Sequence, residues 1–226
     1  MATKNRAAHS CLLLHDLTAT EGQLIDLCHA LEEEGIPASI PNLFGFAPRD
    51  AYDRTPQWQR WLTQAQEAYV ELRGISERVT VIGVGNGGVL AAILAEQYPV
   101  DGLVVLGAVR NPRGFAAAIR RYLPFVALEG ARREVRTLDV GRLVRLANNN
   151  LFSVVADALV VQAMGDALYD PRGGEQLLGG MRSKRKETLE LPGATVASMC
   201  ETHAAEIRAA VLDFVRGASE IGRAHV

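Results

Sequence analysis

The chain has 226 residues and a mass of 24.4 kDa, with 48% hydrophobic residues, 22% charged residues and a formal net charge of −2. This length fits one large domain, and the composition excludes disordered, collagen-like and coiled-coil proteins. A net charge near zero gives no reason to expect binding to nucleic acid or to a charged membrane surface. We therefore expect a cytoplasmic protein of ordinary enzyme size that forms a single domain over residues 1–226.

The three cysteines, Cys11, Cys28 and Cys200, are spread singly through the chain. This spacing fits neither a disulfide framework nor a metal-ligand set, so we expect no metal and no other cofactor. The first ten residues lack the apolar stretch of a secretory signal. The longest apolar runs are of strand length, far below the roughly 18 residues of a membrane span. We therefore expect no transmembrane segment.

Short apolar runs alternate with longer segments of helical period, which indicates β-α-β units and a mostly parallel sheet. Strands are predicted at residues 11–15, 38–40, 79–84, 103–107, 158–162 and 188–191. Helices are predicted at residues 21–34, 58–73, 86–97, 173–181 and 201–216. Thr20 and Gln23 have the spacing of a capping box before the first helix, and Gly35 lies where a left-handed residue ends it.

Residues 110–145 have an unusual charge pattern. They contain nine arginines, no lysine and three acidic residues, a formal charge of +6, so the rest of the chain carries −8. Solvated helix faces are the plain interpretation. Because arginine can hold a carboxylate or phosphate through two parallel hydrogen bonds, an anionic ligand or an acidic partner is the alternative. We do not expect single-stranded nucleic acid as the partner.

The strongest local motif is the sequence VTVIGVGNGGVLAA at residues 79–92. Its glycine spacing matches neither a dinucleotide-binding fingerprint nor a P-loop. It has the shape of a nucleophile elbow, in which small residues surround a tight strand-to-helix turn and the free N–H groups of the helix bind an oxyanion. Gly85 occupies the position of the nucleophile. We expect Gly85 and Asn86 to form a pocket floor that suits an anion.

Over nearly its whole length the chain resembles the α/β-hydrolase superfamily, in its carboxylesterase and monoacylglycerol-lipase-like branch. The sequence LLLHDLT from residue 12 is similar to that family's LLLHG-F-T segment. Further matching passages are residues 34–37, 41–45, 98–104, 159–166 and 189–194, with Trp58 and Trp61 in the helix before the elbow. The resemblance implies an α/β-hydrolase fold with a short helical lid. We place the lid at residues 112–156, which would put the arginines over the pocket.

Carried over residue by residue, the resemblance places Asp166 at the triad acid, Gly85 at the nucleophile and Ala194 at the triad histidine. Leu17 matches the residue whose N–H joins the oxyanion hole, but Asp16 replaces the glycine before it. Without a hydroxyl at Gly85 no acyl-enzyme can form, and without an imidazole at Ala194 no proton is relayed there. A carboxylate at Asp16 opposes the charge that an oxyanion hole stabilises.

These substitutions predict a non-hydrolytic pseudoenzyme that binds a small molecule, including an anionic one, or a protein partner in the former active-site cleft. The residues predicted to line that cleft are Asp16, Leu17, Gly85, Asn86 and His203. The alternative is a hydrolase, lyase or isomerase of the same fold that uses Asp166 with His203. A third hypothesis is a purely structural partner subunit. The plainer interpretations are a hydrogen-bonded carboxylate for Asp166, a solvated surface histidine for His203 and structural support for His15.

Overall fold

A computed structural model of the chain describes residues 6–17, 19, 21–43, 55–109, 137–167 and 169–223. The strands are β1 (Ser10–Leu14), β2 (Ala38–Ser39), β3 (Val79–Val84), β4 (Gly102–Leu106), β5 (Asp157–Ala163) and β6 (Lys186–Leu191). The α-helices are α1 (Ile25–Glu33), α2 (Gln57–Ile75), α3 (Asn86–Gln97), α4 (Thr137–Asn149), α5 (Gly173–Gly180), α6 (Met199–Thr202) and α7 (Ala204–Arg223). Two 3-10 helices cover Glu21–Leu24 and Leu151–Ser153.

The six strands form one sheet in the order β2-β1-β3-β4-β5-β6, and every neighbouring pair is parallel. Every residue of β1, β3 and β4 is buried. Because helices cover both faces of the sheet, its central strands are continuous apolar runs without alternation. The prediction of a mostly parallel sheet flanked by helices is confirmed.

Contacts from β4 show that helices pack on both faces of the sheet. A Cβ atom added at Gly102 would point towards Phe214 of α7, whereas Val105 contacts Gly88 of α3. Residues 102 and 105 differ in parity, so they point to opposite faces of a strand. Helix α7 contacts α1, and α3 contacts α2 and α4. The core therefore lies in two layers, one between the sheet and each helical group.

Most element boundaries agree with the sequence predictions within a few residues, but the last helix extends to Arg223, seven residues beyond its predicted end. The predicted helix 21–34 consists of a 3-10 turn followed by α1, and the predicted helix 201–216 is divided at His203 into the short helix α6 and helix α7. Gly35 has φ +73°, as expected for a left-handed helix end. The Gln23 side chain accepts a hydrogen bond from Asp16 N–H, and Thr20, the other residue of the predicted capping box, lies outside the described residues.

The predicted lid, residues 112–156, is described only from residue 137 onwards. That part contains α4 and the 3-10 helix Leu151–Ser153. Two of the nine arginines, Arg142 and Arg145, lie on α4 with exposed side chains, and the other seven fall outside the described residues. The lid therefore stays a prediction. In the described part of the chain, every helix is too short or too polar to cross a membrane.

Candidate functional site

The candidate site lies where the strand order reverses. Strands β2 and β4 flank β1 and β3 on opposite sides, so the chain leaves β1 and β3 in opposite directions. In open parallel sheets, ligands bind outside the carboxyl ends of strands at this switch point. The segment after β1 carries Asp16, and the turn after β3 carries Gly85 and Asn86. The structure thus brings together three of the residues that the sequence analysis assigned to one cleft.

Glycines let the N-terminus of α3 approach the two strands. A Cβ atom at Gly87 would overlap the backbone of Leu14, and one at Gly83 would overlap the backbone of Gly87. Gly85 itself has φ +52° and ψ −116°, in the range that favours glycine. The turn has the tight strand-to-helix geometry that the motif predicts, and it aims the first N–H groups of α3 at the segment after β1.

The Asp16 carboxyl group occupies the anion-binding position of this turn. The backbone N–H of Asn86 donates to Asp16 Oδ1 over 2.7 Å, and Asn86 Nδ2 donates to the same oxygen over 2.9 Å. Asp16 is only 7% exposed. The N–H after an elbow nucleophile is an oxyanion donor, and helix N-termini favour negative charge. An external anion at this turn would therefore have to displace Asp16.

The same carboxyl group takes the space of a nucleophile side chain. A Cβ atom built on Gly85 would lie 2.5 Å from Asp16 Oδ1 and 2.8 Å from Asp16 Cγ. Val196 closes the other side, with its Cγ1 at 3.1 Å from that position. These distances are too short for a real Cβ, so no side chain fits at Gly85 unless Asp16 moves.

Neighbouring side chains hold the Asp16 segment in place. Gln23 Oε1 accepts the Asp16 N–H over 3.0 Å. His15 Nδ1 donates to the Asp16 carbonyl over 2.9 Å, and His15 Nε2 accepts the Leu43 N–H over 3.0 Å. This pair of contacts fixes the tautomer of a fully buried imidazole. His15 thus has the supporting position that the sequence analysis gave it. Leu17, the next residue, is buried, and its role as an oxyanion donor stays a prediction.

Asp166 supports the loop that holds Ala194. Asp166 Oδ2 accepts the Val196 N–H over 2.9 Å, and Gly165 N–H donates to the Ala194 carbonyl over 2.8 Å. Asp166 is 8% exposed and Ala194 is 1% exposed. Asp166, which the resemblance places at the triad acid, therefore stabilises the loop that brings Val196 against Gly85. Nothing in the sequence of this loop signalled that role for Val196.

His203 and Cys200 lie beyond this loop. His203 connects α6 to α7, is partly exposed, and bonds through Nδ1 to Thr202 Oγ1 over 2.8 Å. Among the described residues, the structure does not bring its imidazole into hydrogen-bond contact with Asp166. Cys200, which the sequence analysis assigned no role, lies near Asp16. Burial, together with Asp16 and Glu201, raises the pKa of its thiol to about 12. A thiol with so high a pKa is a poor nucleophile.

An apolar crevice opens beside the turn, on the α3 face of the sheet. The crevice is shallow: its enclosed volume is about 20 Å³, and it reaches about 290 Å³ only when its solvent-open mouth is included. Residues of α3, of the β4 carboxyl end and of α4 line it, among them Val89, Ala92, Ala108, Val109, Val144 and Ala147. Asn148 adds one polar side chain. Such a lining suits a small apolar group. Within the described ranges, no group of three or more His, Cys, Asp or Glu side chains could hold a metal ion.

Solved structures with a similar fold cover nearly the whole chain. A structure from the metagenome-derived lipolytic enzymes LipS and LipT is 18% identical, with a TM-score of 0.78 over 95% of this chain and 98% of that chain. The monoacylglycerol lipase of Paleococcus ferrophilus is 15% identical, with a TM-score of 0.70 over 94% and 97%. A haloalkane dehalogenase variant from Bradyrhizobium elkanii is 15% identical, with a TM-score of 0.68 over 97% and 92%.

No sequence-family model matches the chain, and no curated protein sequence matches it. The similarity is therefore one of backbone structure, because at these sequence identities most side chains differ. The parallel six-stranded sheet and the glycine turn after β3 agree with it. The chain has the α/β-hydrolase fold.

Proposed function

We propose that this chain is a non-hydrolytic protein of the α/β-hydrolase fold that binds a ligand without turning it over. The observation that carries the proposal is the contact between Asp16 and the Gly85 turn. One carboxyl oxygen both accepts the Asn86 N–H and blocks the position of a nucleophile Cβ. Nucleophile and oxyanion hole are thus lost at a single point, because one side chain occupies the space of both.

The neighbouring positions agree with this proposal. Acyl transfer needs a nucleophile, a base beside it and free oxyanion donors. Gly85 has no side chain, Ala194 has a methyl group in place of an imidazole, and the N–H of Asn86 is already bonded. The loop that carries Ala194 is packed by Val196 and tied by Asp166. The hydrogen bonds of Asn86 N–H and of the Asp166 carboxyl group stabilise the fold, and they occupy atoms that acyl transfer would need.

The experiment is an activity test of the full chain. We expect p-nitrophenyl acetate and butyrate to be hydrolysed no faster than by an Asp166→Asn variant, and a fluorophosphonate probe to leave the protein unlabelled. An active esterase of the same fold serves as the positive control. Ester turnover at a serine-hydrolase rate that falls in Asp166→Asn and His203→Gln would overturn the proposal and support the alternative enzyme.

The ligand that fits the described surface is a small molecule with an apolar part. The crevice beside α3 accepts only apolar groups along most of its wall. Helix α4 lines the crevice through Val144 and Ala147 and exposes Arg142 and Arg145. A carboxylate or phosphate on the ligand would be held by arginines, whose fork matches these groups. Since Asp16 already fills the turn, we place the anionic group on the arginine side.

This part of the proposal is tested with octanoate and octan-1-ol as probes, by calorimetry on the full chain. We expect octanoate to bind more tightly than the neutral alcohol, and Val144→Trp to weaken octanoate binding about tenfold or more by filling the crevice. Val155→Trp is the matched control, because Val155 is 67% exposed and lies outside the crevice lining. If Val144→Trp and Val155→Trp bind octanoate equally well, the ligand binds outside this crevice. A protein captured with unchanged affinity by Val144→Trp would favour a protein partner.

A further inference from the structure

Strand β6 forms one edge of the sheet. It pairs with β5 along its full length, and no further strand of the described residues lies on its other side. Its six residues, KETLEL, contain no proline, and the register against β5 runs without a bulge. A regular edge of this length offers unpaired N–H and C=O groups to another strand.

The hydrogen bonds to β5 determine which residues of β6 face outwards. Ala158 N–H donates to the Arg185 carbonyl over 3.0 Å, and Met164 N–H donates to the Leu191 carbonyl over 3.1 Å. In a parallel pair, every second residue of a strand directs its N–H and C=O groups to the same neighbouring strand. The odd-numbered residues of β6 therefore bond to β5. Lys186, Thr188 and Glu190 therefore direct their N–H and C=O groups away from the sheet.

The side chains of these three residues are also exposed. Along β6 the burial alternates, with Lys186, Thr188 and Glu190 exposed and Glu187 and Leu189 half-buried. The half-buried face packs towards α7: Arg185 pairs with Glu187, and its guanidinium lies 4.7 Å from the ring centre of Phe214. The outward residues thus present both free backbone groups and free side chains.

We propose that two copies of this chain pair through β6 in antiparallel orientation, around a two-fold axis at Thr188. In this register Thr188 faces Thr188 of the partner subunit, and Lys186 faces Glu190 of the partner subunit. All three outward residues then form hydrogen-bonded pairs of an antiparallel ladder. The two six-stranded sheets become one continuous sheet, and the interface is isologous as a two-fold axis requires.

Charge distinguishes this register from its neighbour. On the exposed face, a lysine opposes a glutamate on each side of the axis, and opposite charges directly across two strands are favourable. A shift of one residue would place Lys186 opposite Leu191 and Glu187 opposite Glu190. That register places two carboxylates opposite each other. It also aligns residues whose N–H and C=O groups point to the partner with residues whose groups already bond to β5. Backbone parity and charge, which are independent features, therefore select the same arrangement.

The local contacts of Lys186 are compatible with this role. Its Nζ donates to the Met181 carbonyl over 2.8 Å, which uses one of three ammonium protons. The remaining protons can reach a carboxylate across the interface. Glu190 belongs to no ion pair among the described residues, so its charge is unbalanced in the single chain.

The first test is the oligomeric state of the full chain by sedimentation equilibrium. We expect a species of twice the 24.4 kDa chain mass that dissociates on dilution. Thr188→Pro removes an N–H that points outwards and leaves the β5 ladder intact, so it should yield a monomer. Thr188→Val keeps the N–H and should remain dimeric. A wild-type chain that is monomeric up to about 1 mM, or a dimer that persists in a folded Thr188→Pro variant, overturns the proposal.

Charge variants test the register without altering the fold, because both positions are exposed. Lys186→Glu should raise the dimer dissociation constant about tenfold or more, since it creates two like-charge pairs. The double variant Lys186→Glu/Glu190→Lys restores opposite charges and should return the constant to within about threefold of wild type. Additive weakening in the double variant would contradict this register.

A cross-link locates the axis directly. Thr188→Cys places two thiols face to face on the two-fold axis, at a Cα separation of about 5.5 Å that a disulfide can span. Under mild oxidation it should form a covalent dimer, whereas Glu187→Cys, which faces α7, should not. The native Cys11 and Cys28 are buried and Cys200 has a raised thiol pKa, so wild type is the blank. Equal cross-linking of both variants would show random collision and overturn the assignment.

Discussion

The two ends of the sheet bury polar groups in different ways. At the carboxyl end, Asp16 and Asp166 accept backbone N–H groups from a helix start and a loop. At the amino end, His9 Nε2 bonds to Thr80 Oγ1 over 2.9 Å, and the hydroxyls of Ser10 and Ser76 bond to each other over 2.7 Å. Asp16 thus lies at the start of α3, where the helix dipole favours a negative charge, whereas neutral side chains form the hydrogen-bonded pairs His9–Thr80 and Ser10–Ser76 at the other end.

Helix α3 shows the same contrast along its own length. Asp16 lies at its first N–H, whereas Glu96 lies in its last turn, against the Asn150 backbone, with Oε1 buried and without a hydrogen bond among the described residues. Burial, partly offset by that backbone contact, raises the pKa of Glu96 to about 7. The comparison teaches that the Asp16 carboxyl group, which fills the space beside Gly85, is also a helix cap. Four predictions test it.

Gly85→Ser should have the largest effect, because its side chain meets Asp16 in a backbone conformation that favours glycine. We expect a loss of about 3–5 kcal/mol in the free energy of unfolding, measured with urea. Asp16→Gly/Gly85→Ser removes the clash and should be more stable than the sum of the single variants. Gly74→Ser is the control, since a Cβ there meets nothing within 4 Å. If Gly85→Ser is as stable as Gly74→Ser, Asp16 does not occupy this space.

Asp16→Ala should lower the free energy of unfolding by about 2 kcal/mol, because it leaves the buried Asn86 N–H without its acceptor. Asp16→Asn keeps an oxygen at the same place and should cost about half as much. Urea unfolding at one pH measures both. Identical losses in the two variants would argue that the contact is one of shape and not of hydrogen bonding.

The buried His9 side chain should make the stability of the protein sensitive to acid. Burial, and secondarily Arg78, lowers its pKa to about 4 in the folded protein. The unfolded chain therefore binds an extra proton as the pH falls below 6.5, and stability drops between pH 6.5 and 4. We expect His9→Gln to remove about 1–2 kcal/mol of the difference in unfolding free energy between pH 7 and 4.5. A pH dependence unchanged by His9→Gln would show that the imidazole titrates normally.

Substitution of Glu96 should have the smallest effect on stability, and its pH dependence should have the opposite sign to that of His9. Its raised pKa means that the folded protein loses stability as the pH rises from 4.5 through 7. We expect Glu96→Gln to stabilise the protein by a few tenths of a kcal/mol at pH 8, since the residue is partly exposed and solvent screens its charge. At pH 4.5 the wild type and Glu96→Gln should have the same free energy of unfolding. Stabilisation that is equal at both pH values would indicate a packing effect instead of a charge effect.

Much of the fold could be predicted from the sequence because its signals are local. Val79–Val84 and Asn86–Gln97 have the predicted bounds, since a buried strand, a glycine turn and an apolar helix follow one another without ambiguity. The ends of β6 were harder to predict: its charged residues Lys186 and Glu187 precede the apolar pattern. The separate helix α6 was also missed, because the local sequence does not show where the helix divides.

The sequence by itself determined the fold class of this protein and which residues stand at the positions that the family resemblance marks as catalytic. Alternating strands and helices specify a parallel sheet, and the absence of a side chain at Gly85 is a fact of composition. Only the tertiary structure decided which side chains fill the space beside Gly85. Asp16 and Asn86 are 70 residues apart in the chain, and Val196 reaches Gly85 from yet another loop. Such contacts depend on how strands order themselves in the sheet, and no local pattern encodes them.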